Sequence, residues 1–384
     1  MGDTKLLFVI NSLGTGGAEQ TLAQLLFRLP AHGIEPVVAT LRRRPDGVRD
    51  EVVAAGVPVE ELKDNGWIGW FRGMRPILKK VQPNLIHTML FEADIVGRLS
   101  AIGTGAPVLS SVVNTSYDKA RLGDPNVRAA SLLAVRLIDG WTARNFTTHF
   151  HAVSATVKAS SVHHLKIAPE AITVVERGQD PYRLGKPSER RKAEARSRFG
   201  LTARDEVVVT VGRQEYQKGH AFLLQAVPAL VAERPHLKLL VAGRRGRMSN
   251  DLEALCQTLD LGDRVRFLGH IDAVPELLAA ADLFVFPSLF EGLGNALLEA
   301  MALGLPVVVS DIPALREVVE EDRSGVFVPP AAPGELAAAV SGLLDDRDKM
   351  RRFGERGREI FEERFTLDRY VGRMVDLYRG LVGR

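Results

Sequence analysis

Short β-branched apolar runs alternate with longer amphipathic stretches from the start of the chain. Residues 6–10 read as a strand, 11–17 as a Gly-rich turn and 18–29 as a helix stopped by Pro30, with the next strand at 37–39. Further strands are predicted at 85–87, 108–113 and 149–153. The series restarts at Glu206: a strand at 207–211, a loop at 212–219, a helix at 220–233 closed near Pro235, then strands at 237–242, 265–268, 283–286 and 307–309. Strands separated by helices of this length require right-handed crossovers. The fold class is therefore α/β, with two Rossmann-like, doubly wound parallel-sheet domains facing a cleft. A polar, basic stretch at 178–204, holding Pro181 and Pro187, parts the two series. This predicts domains at 1–180 and 205–365 with a linker over 181–204. In the last segment, 366–384, residues Leu367, Tyr370, Val371, Met374, Leu377, Tyr378 and Leu381 recur at helical spacing.

The composition bounds what such a chain does. A length of 384 residues suits about two domains, and 46% hydrophobic with 25% charged residues excludes wholesale disorder. The one cysteine, Cys256, forms no intrachain disulfide and no thiolate cluster, which fits a reducing compartment. The apolar run at 6–10 is too short for a signal sequence, and no later window supplies the roughly 18 apolar residues of a membrane span. The expectation is a cytoplasmic protein. Fifty Lys and Arg against 47 Asp and Glu leave a net charge of only +3, which with no recognisable motif argues against nucleic acid. The charge is uneven between positions 183 and 198, where seven basic residues meet two acidic ones, and Arg42–Arg44 and Lys79–Lys80 add smaller clusters. Two readings stand: a solvated face plus linker, or peripheral contact with the anionic inner face of a membrane.

Chemistry concentrates in the second half. The strand at 283–286 ends at Pro287, and the loop 288–294 then sits at its carboxyl end, where open parallel sheets bind ligands. Asn295 is placed to cap a helix running to Leu303, with Gly304 beyond its end and Pro306 preventing continuation. A Gly-rich loop feeding a capped helix aims backbone N–H groups at an anion, typically phosphate. Glu291 and Glu299 flank this turn. A carboxylate there faces hydroxyls rather than phosphate, and Glu299 is set in an otherwise apolar helix where an idle charge is expensive. Glu291 is read either as a ligand contact or as an exposed loop acid. After the strand at 207–211, Arg213 and Lys218 supply two cations for a diphosphate. The Gly14-Thr15-Gly16-Gly17 turn lacks the third glycine and downstream acid of a dinucleotide fingerprint, yet allows close backbone approach to an anion. No Walker A, His-Glu-x-x-His or Gly-x-Ser-x-Gly element and no strand-end Asp-x-Asp is present, so no metal is expected.

These residues resemble the retaining nucleotide-sugar glycosyltransferases of the GT-B fold known as glycosyl transferases group 1. The likeness rests on Gly212-Arg213 with Lys218-Gly219, on Val241-Ala242-Gly243, on Phe267-Leu268-Gly269-His270, on the Glu291/Glu299 pair and on Gly304-x-Pro306-Val-Val-Val-Ser310. In the first half, Gly16-Gly17-Ala18-Glu19 and the strand end at His87 are also similar. The resemblance implies a nucleoside diphosphate sugar held by the C-terminal domain, and a glycan or lipid-linked acceptor held mainly by the N-terminal one. It also implies transfer with retention, without metal or other cofactor, in bacterial polysaccharide or glycolipid synthesis, and a last helix crossing back to the N-terminal domain.

The donor-binding residues it implies are Gly16, Gly17, Arg213, Lys218, Gly243, Glu291, Gly292, Gly294, Asn295, Ala296 and Glu299. Glu291 would contact donor-sugar hydroxyls and Glu299 the ribose. Glu291, Arg213, Lys218 and His87 are the catalytic candidates, His87 being read either as functional or as core. Three positions depart from the family pattern: Asn114 and Met89 stand where relatives carry His, and Glu176-Arg177-Gly178-Gln179-Asp180 replaces a Pro-Asn-Gly-Val-Asp loop. Asn114 is kept as the acceptor-side candidate. The rival readings are a nucleotide-sugar epimerase or phosphorylase-like transferase on the same architecture and a non-catalytic nucleotide-sugar-binding protein.

Overall fold

The computed structural model describes residues 4–63 and 66–383. The chain divides into two units, one running to Gly178 and regaining the chain at Leu367, the other spanning Gln179–Thr366. In the first unit, β1 (Thr4–Ile10), β2 (Ile34–Thr40), β3 (Val59–Glu61), β4 (Leu85–Met89), β5 (Val108–Val112), β6 (His149–Ala152) and β7 (Ile172–Val174) form a seven-stranded sheet. Its order is β3-β2-β1-β4-β5-β6-β7 and every pairing is parallel. In the second unit, β8 (Glu206–Val211), β9 (Leu237–Ala242), β10 (Val265–Gly269), β11 (Leu283–Phe286), β12 (Val307–Ser310) and β13 (Gly325–Val328) form a parallel sheet of order β10-β9-β8-β11-β12-β13. Both units are Rossmann-like.

The central strands are continuous apolar runs because helices cover both faces of a parallel sheet. β11 and β12 are buried at every position. β3, β7 and β13, which the hydrophobic pattern did not signal, are edge strands of three or four residues whose extended form comes from the neighbour they pair with. The helix Leu367–Val382 buries Leu367, Tyr370, Val371, Met374, Val375, Tyr378 and Leu381 in the first unit's core, against Leu22, Leu26 and Phe8 among others. Its apolar stripe is core packing.

Residues 181–204, expected as a linker, instead carry the helices Pro181–Leu184 and Glu189–Arg198 and belong to the second unit. Asp180 and Ser188 cap them, accepting from the N–H groups of Tyr182 and Arg191. The basic run is also not a bare patch. Arg196 pairs with Asp282 at 2.5 Å, Lys192 with Asp282 at 2.7 Å and Arg191 with Glu276 at 3.3 Å. A helix of alternating charges is held on the sheet by acids some 85 to 90 positions away, which local composition does not reveal.

Candidate active site

The second sheet reverses its direction of growth between β8 and β11, so the loops leaving those two strands flank a crevice at the carboxyl edge. The structure stitches these loops together. The Leu289 N–H donates to the Gln217 carbonyl and the Gln217 side-chain amide to the Phe290 carbonyl, each at 2.8 Å. The Lys218 ammonium donates to Glu291 Oε1 and lies 5.1 Å over the Phe286 ring. Glu291 is only 7% exposed, so it is a buried, ion-paired acid rather than a loop acid in solvent.

Two glycines are dictated by this packing. Gly243 has φ +142° and donates to the Gly269 carbonyl at 2.8 Å; a Cβ there would fall 1.8 Å from the Gly212 carbonyl oxygen. Gly294, at φ +93°, turns the chain against Phe286 into the helix Asn295–Ala302. The expected cap at Asn295 is thereby corrected: Gly294 is the cap residue, and Asn295 is the first helical one. The tight turn needs a backbone that only glycine adopts at no cost, whereas a side-chain cap needs an extended residue. The first intrahelical bonds run from Leu297 and Leu298 to the Gly294 carbonyl, so the positive helix end, with Asn295 and Ala296, lies beside the loop that holds Glu291 and buried Gly292.

One turn along that helix, Glu299 is half-buried, and burial pushes its carboxyl up to about 7 against the opposing field of Arg183. Arg183, placed in the linker by the sequence reading, comes from the short helix 181–184 that packs on helix 295–302. Arg213 is exposed at the end of β8. Gln214 Oε1, Ser288 Oγ and both ring nitrogens of His220 are buried in these same loops with no hydrogen-bond partner among the described residues. Burial, then the nearby Lys218, pushes His220 down to about 3, so it is neutral near pH 7. Ser288 and His220 were missed by the sequence reading. Their only local signals are positions after a strand-ending proline and after Gly219.

The other candidates lie in the first unit. Gly16 caps the helix Gly17–Arg28 with extended backbone, and Glu19 folds back over it so closely that a Cβ on Gly16 would lie 2.3 Å from its carboxylate. Asn114 is half-buried after β5, accepting from the Thr115 N–H at 2.9 Å. His87, read either as functional or as core, packs in the core of this unit. It is fully buried, with Nδ1 2.9 Å from the Tyr378 hydroxyl and Nε2 2.7 Å from Ser111 Oγ. Ser111 Oγ lies 2.8 Å from Nδ1 of His151, whose Nε2 donates to the Val175 carbonyl at 2.8 Å. That last bond sets the whole chain: Tyr378 donates to His87, His87 to Ser111 and Ser111 to His151. Burial, reinforced by the neighbouring His151, holds His87 well below the usual histidine range, and burial takes His151 down to about 4. Among the described residues, no three His, Cys, Asp or Glu side chains gather as a metal-holding group.

The comparisons with known proteins follow this geometry. The profile of the family described as "Glycosyl transferases group 1" matches residues 191–360, and that of "Glycosyltransferase Family 4" matches 15–183. A D-inositol 3-phosphate glycosyltransferase of Thermobispora bispora is 29% identical over 94% of this chain and 89% of its own length. An uncharacterised glycosyltransferase of Methanocaldococcus jannaschii is 31% identical over 59% of this chain and 58% of its own. Two other curated relatives are likewise matched only in part, over 50% and 61% of their lengths. Among solved structures, the Anabaena protein HepE, in complex with UDP and glucose, superposes with a TM-score of 0.84 at 23% identity, covering 98% of this chain and 100% of that one. That likeness is one of fold.

Proposed function

The chain belongs to the glycosyl transferases group 1 family, and from that membership we propose that it moves a sugar from a nucleoside diphosphate sugar to a hydroxyl of a glycan or glycolipid acceptor. In this reading transfer retains the anomeric configuration and needs no bound metal. The observation that carries it is the convergence of Lys218, Glu291 and the positive end of helix 295–302 at the second unit's reversal point. The hard step is departure of the diphosphate: the bond from the anomeric carbon to a phosphate oxygen breaks, and negative charge gathers on that oxygen. Cations and helix N–H groups gathered around the bound diphosphate stabilise that charge.

The Lys218–Glu291 pair adds a feature to that reading. A diphosphate competes with Glu291 for the Lys218 ammonium, and the released carboxylate then accepts from the donor sugar's hydroxyls. Glu299 accepts from the ribose, and Arg213 reaches the phosphates from the crevice rim. Ser288 and His220 supply polar groups that have no partner among the described residues.

A thermal-shift panel with UDP, GDP, ADP and dTDP, each with Mg²⁺ and with chelator, tests the proposal. A nucleotide at about 100 times its Kd should stabilise the chain by about 2.7 kcal/mol. One responder that needs no Mg²⁺ supports the donor site and its metal independence. Silence from all four overturns the donor reading, and a response only with Mg²⁺ overturns the metal-free one.

A further inference from the structure

The helix Ala129–Phe146 has the inverse of the usual surface-helix polarity. Its acid points inward: Asp139 is buried and takes a 2.6 Å bond from the fully buried Arg98, with the Tyr117 hydroxyl donating to its other oxygen at 2.7 Å. Four of its large apolar residues point outward. Leu133, Leu137, Ile138 and Trp141, spaced as one stripe, are 47 to 61% exposed, and Leu122 on the preceding turn is 48% exposed. These are five of the eleven large hydrophobics exposed among the described residues, gathered within twenty positions. A contiguous apolar stripe on a surface marks an interaction site.

The charge around the stripe indicates what covers it. Positions 119–146 hold five Lys and Arg against two acids, and one of those acids is the buried Asp139. Arg128, Arg136 and Arg144 recur every eight residues along the helix, and the Arg144 guanidinium donates to the Leu165 carbonyl at 2.6 Å, next to Lys166. Apolar side chains with a tryptophan, rimmed by cations, suit the boundary between lipid headgroups and acyl chains. A second copy of this chain fits poorly, because a two-fold contact would set these arginines against one another. Among the described residues, no helix is long and apolar enough to cross a membrane, so the contact is one of lying on the surface.

We propose that the outward face of helix 129–146 docks on a bilayer carrying anionic headgroups, with Leu133, Leu137, Ile138 and Trp141 entering the interface and Arg128, Arg136 and Arg144 meeting the lipid charge. This moves the expected membrane contact from the basic run at 183–198, where several cations are engaged in ion pairs, to a different unit of the molecule. It does not rest on the glycosyltransferase reading.

The test is flotation of the full chain with phosphatidylcholine vesicles and with vesicles doped with phosphatidylglycerol. Binding is expected only to the doped vesicles at about 0.1 M salt and is lost near 1 M. Leu137→Glu with Trp141→Ser should weaken it on the order of tenfold or more. Replacing Arg128, Arg136 and Arg144 by Gln should weaken it roughly a hundredfold, at about fivefold per charge. Leu137 and Trp141 are exposed, whereas Arg136 is half-buried and Arg144 is bonded to the Leu165 carbonyl, so unchanged circular dichroism and an unchanged melting temperature are required of both variants to show that folding is intact. No flotation of the parent chain, equal binding to neutral and anionic vesicles, or variants that float like the parent each overturn the proposal. So does a dimer in light scattering that Leu137→Glu dissolves while flotation persists.

Discussion

The two sheets reverse direction in the same way, between β1 and β4 in one unit and between β8 and β11 in the other, and their polar groups are finished differently. At the first reversal point Asn11 donates to Glu92 and accepts from the Ala93 N–H at 3.0 Å, while Arg42 lies 3.5 Å from Glu92. Deeper in the same unit, Tyr378, His87, Ser111 and His151 satisfy one another down to a backbone carbonyl. In the second unit, the buried side-chain atoms that lack a partner among the described residues all belong to Gln214, His220 and Ser288, in the two loops at the crevice; in the first unit they are scattered from Thr15 to Arg177. A network completed inside the fold holds structure, whereas unpaired buried groups gathered at one crevice are the ones a ligand there could satisfy.

The sharpest way to break this contrast is to open the closed side. Arg98→Ala leaves Asp139 buried without its cation and should cost about 3–5 kcal/mol in urea unfolding. A loss below about 1 kcal/mol would show that the closed network is not structural. On the open side, Glu291→Ala should lower kcat by about 10²–10³ while nucleotide binding persists; equal turnover by variant and parent removes Glu291 from the chemistry and favours a non-catalytic binder.

A paired experiment separates the two kinds of buried polar group directly. His87→Ala should destabilise by on the order of 1–3 kcal/mol by leaving Tyr378 and Ser111 unpaired. Ser288→Ala should leave stability unchanged or slightly raised but weaken diphosphate binding roughly tenfold. If Ser288→Ala unfolds the chain and His87→Ala does not, the assignment is reversed.

The smallest effect expected is in pH dependence. Glu299 has a folded-state pKa raised to about 7, so its contribution to stability is present below the usual carboxylate range and is lost as pH rises toward 7. His151, depressed to about 4, acts oppositely: its contribution is present above about 6.5 and lost as pH falls toward 4. If Glu299 accepts from a ribose hydroxyl, nucleotide affinity should fall as pH drops through about 7, and Glu299→Gln should flatten that fall. The ligand's own titration is common to both proteins, so identical profiles would exclude Glu299 from the contact.

The parts of this protein legible in its sequence are those with local causes. Central strands appear as apolar runs long enough to be covered on both faces, the loops at 212–219 and 287–294 are punctuated by Gly and Pro, and the last helix shows its core stripe at helical spacing. Glu299 stood out because an acid inside an apolar helix is costly unless used, whereas the sequence left Glu291 open between a ligand contact and an exposed loop acid. Only the tertiary structure decided that Glu291 is buried against Lys218, 73 positions away, and that His87 is sealed by Tyr378, 291 positions away. It likewise decided that the basic run at 183–198 is tied to Glu276 and Asp282, and that helix 129–146 turns its acid inward and its leucines out. The physical reason is common to all of these. Periodicity and turn chemistry act over a few residues, whereas burial, charge state and hydrogen-bond completion depend on which distant side chain arrives beside the group.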